Sequence, residues 1–98
     1  KNKFQALGKT KDVINLDPLG RKWESFGWDV YDIDGHKPNE IRLAFNKARK
    51  NKKKPSVLIC NTIKGKGLKD FEGQLFSHYK APNNNQLEDF LEGLTDKE

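Results

Sequence analysis

The sequence predicts an α/β fold, a partial parallel sheet with crossover helices, and three observations carry that expectation. Val57-Leu58-Ile59-Cys60 is a continuous apolar run between Pro55 and Gly65, the pattern of a strand buried on both faces. Trp28 to Ile33 is rich in aromatic and β-branched residues, which suit a second strand. Between them Ile41, Ala44, Phe45 and Ala48 recur at i, i+3, i+4 and i+7, the stripe of an amphipathic helix. Strand, helix and strand in that order make a βαβ unit, with parallel strands and a right-handed crossover.

Taken in order, Lys3 to Leu7 reads as the end of a strand and Gly8 to Asp12 as a loop. Asp17 is a good N-cap and Pro18 suits a first helical position, where a missing N–H costs nothing. Leu19, Trp23 and Phe26 then fall at helical spacing, and Gly27 stands where a C′ glycine ends a helix, so residues 18–26 are expected to be helical. After the 28–33 strand, Asp34-Gly35 turns the chain and Pro38 opens the crossover helix, which the lysine run and Pro55 stop. The second strand is expected over 56–63. Residues 68–84 show little periodicity. Asn85, with Glu88 three residues on, has the capping-box pattern for a last helix whose apolar face is Leu87, Phe90, Leu91 and Leu94.

Ninety-eight residues leave room for one small domain, and with 34% hydrophobic residues any core is thin. The chain has no methionine and opens on Lys1-Asn2-Lys3-Phe4, which we read as part of a longer polypeptide or a subunit trimmed at its start. Such a piece is expected to lean on a partner to complete its sheet. The net charge is +5, with much of it in the 47–54 block. Without a nucleic-acid motif beside it, that block reads as a solvated helix end whose lysines complement the dipole. A single cysteine, Cys60, excludes a disulfide framework within the chain and suggests a buried thiol. Neither a signal peptide nor an 18-residue apolar stretch is present, so the default expectation is a cytoplasmic protein.

Few residues carry recognisable chemistry. Two histidines and one cysteine form no metal-ligand spacing, and no nucleophile elbow is present. Lys64-Gly65-Lys66-Gly67 lacks the order of a P-loop. Yet it follows a strand, and a cationic glycine loop beyond a strand's carboxyl end is placed to meet an anion. His36 belongs to the turn after Asp34-Gly35 and is expected to be structural. His78, after the loop and outside any core pattern, is the histidine with a prospect of function.

A set of short blocks makes that prospect specific. Asn2-Lys3-Phe4-Gln5, Pro18-Leu19, Lys22 to Trp28, Asp34-Gly35-His36, Lys54-Pro55-Ser56, Asn61 to Gly67, Ser77-His78 and Ala81-Pro82 run in order along the chain. In this the sequence resembles the thiamine-diphosphate-binding domain of transketolases, over roughly its last third. The resemblance implies that residues 1–98 are the C-terminal portion of that domain. It implies a cofactor, thiamine diphosphate, held through Mg²⁺ or Ca²⁺. Asn2 matches a metal-ligating asparagine and Phe4 would supply a backbone carbonyl. Lys64 matches a lysine that approaches the cofactor, and His78 a histidine near the diphosphate and the reacting centre.

The implied reaction moves a two-carbon ketol unit from a ketose phosphate to an aldose phosphate, with this stretch inactive alone. The implied partners are the rest of the domain and a pyrimidine-binding domain or subunit, in a homodimer or heterotetramer. Nucleic acid and membrane are not expected partners. This sequence departs from the family pattern in several places. The Gly-Asp-Gly metal motif is expected ahead of Lys1, and the activating glutamate in the pyrimidine-binding part. Tyr79 replaces a usual glycine after His78, and Lys37 stands where an acidic helix cap is common. Deoxyxylulose-phosphate synthase shares a Lys-Gly-Lys-Gly loop and a later histidine and is one alternative. A basic module binding nucleic acid or an acidic partner is the other.

Overall fold

In a computed structural model that describes residues 1–95, the chain forms two compact units. The first consists of Lys1 and residues 14–62, and the second, among the described residues, of 2–13 and 63–95.

The first unit holds the expected strand–helix–strand arrangement: β3 (Asp29–Asp34), α3 (Pro38–Lys50) and β4 (Ser56–Asn61), preceded by α2 (Leu19–Ser25). Strands β3 and β4 pair in parallel from Asp29 opposite Ser56 to Asp34 opposite Asn61. Strand β4 ends at Asn61, short of the expected Ile63. The backbone of Lys1 lies along the same strand: its amino group donates to the Cys60 carbonyl at 2.6 Å and its carbonyl accepts the Thr62 N–H at 3.1 Å. Helix α2 approaches the sheet through Gly20, where an added Cβ would touch Val30 and Ile59 at 3.5 and 3.8 Å. Ala44 and Ile59 are the buried apolar residues here.

Helix α2 ends as its glycine predicts. The Trp28 N–H reaches the Trp23 carbonyl and the Gly27 N–H the Glu24 carbonyl, with Gly27 at φ 85°. Those two bonds make a Schellman motif, and its apolar contact is an edge-to-face pair of Trp23 and Trp28, 4.7 Å between centroids. The other end differs from expectation. Pro18 sits in the N-cap position without a capping side chain, so it is not the first helical residue. Asp17 instead binds the Lys1 ammonium, which, with the Leu19 N–H, holds its carboxyl below the ordinary range.

The crossover helix starts with Lys37 at its N-cap and no side-chain cap, as the missing acidic residue predicted. Glu40 compensates by accepting the Asp34 N–H at 2.9 Å and pairing with Lys37 at 3.2 Å. At the other pole Asn51 donates to Asp29 at 2.8 Å, and Tyr31 donates to the same carboxylate at 2.6 Å. Two sequence expectations fail here. Phe45 is 50% exposed and does not belong to the buried stripe, whereas its neighbour Ala44 is 4% exposed. Cys60 is only half-buried.

These bonds set an acid limit. The Tyr31 hydroxyl, then the Asn51 amide, lower the Asp29 pKa, and the Asp34 N–H, then Lys37, lower that of Glu40. A carboxylate whose folded pKa is depressed contributes stability above its unfolded pKa and loses it as pH falls through the folded one. The first unit should therefore weaken below about pH 4, and Glu40→Gln should make that loss shallower. Urea midpoints measured across the acid range check this; equal slopes in the two proteins would contradict it.

The second unit contains β1 (Phe4–Gln5) and β2 (Gly8–Lys9), an antiparallel hairpin, then α1 (Thr10–Val13), a 3₁₀ turn at Leu75–His78 and α4 (Asn84–Thr95). The hairpin's return strand and α1 occupy what the sequence suggested was loop. They are too short to leave a periodic signal. Phe71 and Phe90 are buried in this unit, and Phe71 meets Phe76 and Phe90 edge-to-face at 5.2 and 5.5 Å. Helix α4 is capped two residues earlier than expected. The Gln86 N–H donates to the Asn83 side chain at 2.9 Å and the Asn83 N–H to the Gln86 side chain at 3.1 Å. This is the same capping-box chemistry as the Asn85/Glu88 pattern, carried by another pair. Of the expected apolar face, Phe90 is buried, whereas Leu87, Leu91 and Leu94 are exposed.

Candidate functional site

All four residues that the sequence marked for cofactor or metal, Asn2, Phe4, Lys64 and His78, lie in the second unit. The loop that carries Lys64 is closed by its own backbone. The Gly73 N–H donates to the Lys64 carbonyl at 2.8 Å, and the Phe71 N–H to the Leu68 carbonyl at 2.8 Å. Gly65 and Gly67 take φ values of 73° and 93°, where a side chain is strained. At Gly65 space is also lacking, since a Cβ would sit 2.5 Å from the Phe71 carbonyl oxygen. This glycine serves the loop's own closure.

The two loop lysines have different fates. Lys66 pairs with Glu72 at 3.6 Å, and the same carboxylate oxygen accepts the Gly67 N–H at 2.9 Å. Lys64 turns to His78, its ammonium 3.3 Å from ring atom Nδ1. His78 is the last residue of the 3₁₀ turn, which is tied to the loop because the Ser77 hydroxyl donates to the Phe71 carbonyl. His78 is exposed and Lys64 half-buried.

Asn2 and Phe4 form a small structure of their own. The Asn2 side-chain oxygen accepts the Phe4 N–H at 3.0 Å, across Lys3 at φ 68°. The Thr10 N–H donates to the Lys3 carbonyl at 2.9 Å, a bonded pair of the hairpin. Bonded and non-bonded pairs alternate along an antiparallel ladder, so the Phe4–Lys9 pair is non-bonded and the Phe4 carbonyl points away from β2. Strand β1 packs against the 75–78 turn. The structure thus joins Lys64 and His78 directly, and sets Phe4 on a strand beside the turn that carries His78, with Asn2 two residues ahead of that strand.

His36, read as structural, is exposed in its turn, with its N–H on the Asp34 carboxylate at 2.9 Å. Sequence reasoning missed Glu72, which pairs with Lys66 and accepts the Gly67 N–H, and Phe71, on which the loop closes. A carboxylate a few residues after a cationic glycine pair was the available signal for the first. Nothing local marked the second. Among the described residues no three His, Cys, Asp or Glu side chains gather as a metal site, and no helix is long and apolar enough to cross a membrane.

A parallel strand–helix–strand unit, followed in the chain by a glycine loop that sets a lysine on a histidine, defines an α/β protein whose loop chemistry suits an anion. Residues 1–92 match the family described as transketolase, thiamine diphosphate binding domain, and the chain belongs to that family.

Among curated relatives, the 6-deoxy-6-sulfo-D-fructose transketolase subunit of a Clostridium species is 48% identical over 77 residues, covering 79% of this chain and 28% of the relative. An apulose-4-phosphate transketolase subunit of Actinobacillus succinogenes is 39% identical over 97 residues, covering 99% of this chain and 35% of the relative. The crystal structure of transketolase from Campylobacter jejuni superposes with a TM-score of 0.73 at 30% identity, covering 79% of this chain and 12% of that one. The chain therefore spans about a third of the length of these curated relatives. These likenesses favour a transketolase over both alternatives that the sequence had left, the deoxyxylulose-phosphate synthase and the basic binding module.

Proposed function

We propose that this chain is the C-terminal portion of the thiamine-diphosphate-binding domain of a ketol transferase, and that it holds the diphosphate end of the cofactor. The observation that carries the reading is the Lys64–His78 pair, 3.3 Å apart on a loop closed around Phe71. A lysine offsets the charge of a diphosphate, and an imidazole donates a hydrogen bond to its oxygens or moves a proton at a sugar hydroxyl.

The donor set fits the cation that such a cofactor requires. A hard ion such as Mg²⁺ or Ca²⁺ takes neutral oxygens of the kind that the Asn2 amide and the Phe4 carbonyl offer. The Asn2 oxygen that accepts the Phe4 N–H keeps a second lone pair for the ion. Neither ligand brings charge, so a carboxylate must come from elsewhere in the domain. When bound, thiamine diphosphate supplies a nucleophilic thiazolium carbon and an electron sink for two-carbon transfer. This chain's residues neutralise the diphosphate (Lys64), orient or protonate oxygens beside it (His78), and hold the cation (Asn2, Phe4). The substrates in this reading are a ketose phosphate donor and an aldose phosphate acceptor. A pyrimidine-binding domain or subunit completes the enzyme, as homodimer or heterotetramer. Relatives named for a sulfo-fructose and for a sugar phosphate support a donor with an anionic end.

In the full-length protein with its partner subunit, His78→Ala should lower ketol transfer by about 10²-fold or more. Calorimetry with thiamine diphosphate and Mg²⁺ should show binding to that assembly and none to the 98 residues alone. Full activity of the variant, or micromolar affinity in the isolated chain, would overturn the proposal.

A further inference from the structure

We propose that Lys64 is a positioning residue that acts through His78: its ammonium fixes the imidazole in the Nε2–H tautomer, leaving Nε2–H as the ring's outward donor. The inference deepens the function proposed above and names which ring atom would meet an anionic oxygen. Its first readout stands without cofactor.

The polarity of the contact has one solution. An ammonium has three donors and no acceptor, so a ring nitrogen 3.3 Å from it must present a lone pair. Nδ1 is that atom, and the ring proton is then on Nε2. In most histidine sites the second ring nitrogen is oriented by a carbonyl or a carboxylate, which accept and so place the proton on the nitrogen they face. A lysine does the opposite. It leaves the far nitrogen as donor, the arrangement suited to a phosphate or hydroxyl oxygen rather than to a metal, which needs that nitrogen's lone pair.

The surrounding bonds show that the pair is held by the fold. The Lys64 carbonyl is anchored by the Gly73 N–H at 2.8 Å, so the lysine's backbone is set by the loop closure. Phe71, on whose carbonyl Ser77 docks, is 3% exposed, which ties the His78 turn to the buried part of the unit. Glu72 draws off the neighbouring Lys66 and takes the Gly67 N–H. That carboxylate thus meets Lys66 and the loop backbone, while Lys64 is the lysine beside the imidazole. Had Glu72 faced His78, an acceptor would have met the ring and the opposite tautomer would have formed.

The test is a two-bond ¹H–¹⁵N correlation spectrum of the full-length protein, ¹⁵N-labelled at histidine and free of cofactor. It is recorded at about pH 9, between the ordinary imidazole and lysine ranges. His78 is assigned by its loss in His78→Gln. The expected result is a single Nε2–H pattern for wild type and for Lys64→Arg, which retains donors, and an averaged two-tautomer pattern for Lys64→Met. A wild-type Nδ1–H pattern overturns the proposal, and needs no variant to fold. So does an unchanged Nε2–H pattern in Lys64→Met, because another group would then hold the ring. Calorimetry separates the two proposals: a fixed tautomer with no cofactor affinity in the complete assembly defeats the functional reading and leaves this one standing.

Discussion

Replacing Phe71 with alanine is expected to loosen the whole second unit, costing about 3–5 kcal/mol. Phe71 is 3% exposed and is the ring that both Phe76 and Phe90 meet edge-on. Its removal leaves a cavity between the loop, the 3₁₀ turn and α4, bordered by the rings of Phe76 and Phe90 that it held edge-on. Native-state hydrogen exchange in the full-length protein reads this directly. Amides of α4 and of the 68–80 segment should lose protection together, while those of β3 and β4 hold theirs. Protection lost equally in both units would show that Phe71 supports more than its own unit.

Gly65→Ala should be the more selective lesion. The substitution meets two penalties at once, a backbone at φ 73° and a Cβ 2.5 Å from the Phe71 carbonyl oxygen. A left-handed conformation costs about 1–2 kcal/mol and forced overpacking about 1–3 kcal/mol, so the loop should rearrange rather than absorb both. Because the obstacle is backbone, no side-chain adjustment relieves it. The expected result is loss of the Lys64–His78 contact, read as an averaged His78 tautomer, with α4 still protected from exchange. An unchanged His78 spectrum would mean that the loop tolerates the methyl and that its closure is not what holds the pair. Gly67→Ala provides a contrast: it shares the positive φ, but among the described residues its Cβ would meet Leu94 alone, at an ordinary 3.8 Å. It should cost less.

The parts of the fold that were legible in the sequence share a short physical range. The apolar run at 57–60 and the aromatic run at 28–33 became parallel strands, and the 41–48 stripe became the helix between them. Gly27 ended α2 with its Schellman bonds because a C′ glycine needs only its own helix to act. Errors arose where two local solutions competed. Asn83 with Gln86 and Asn85 with Glu88 are both capping pairs, and the earlier one formed. Asp17 was a sound cap by type, yet Lys1, distant in sequence, claimed its carboxylate. Phe45 kept helical spacing with Ile41 and Ala48 but is half exposed, while Ala44 beside it is buried.

For the candidate site the division is sharper. His78 and Lys64 were marked by their place after a strand and by family resemblance, and Asn2 and Phe4 by resemblance alone. That a lysine and a histidine fourteen positions apart would touch, and through Nδ1, depended on loop closure around a buried phenylalanine. By itself the sequence determined the longer elements of the first unit, the Gly27 helix end and the family, because periodicity and backbone chemistry act over a few residues. Only the tertiary structure decided which lysine meets the histidine and which pairs with Glu72, because such choices are made by groups that chain closure, rather than adjacency, brings within hydrogen-bonding reach.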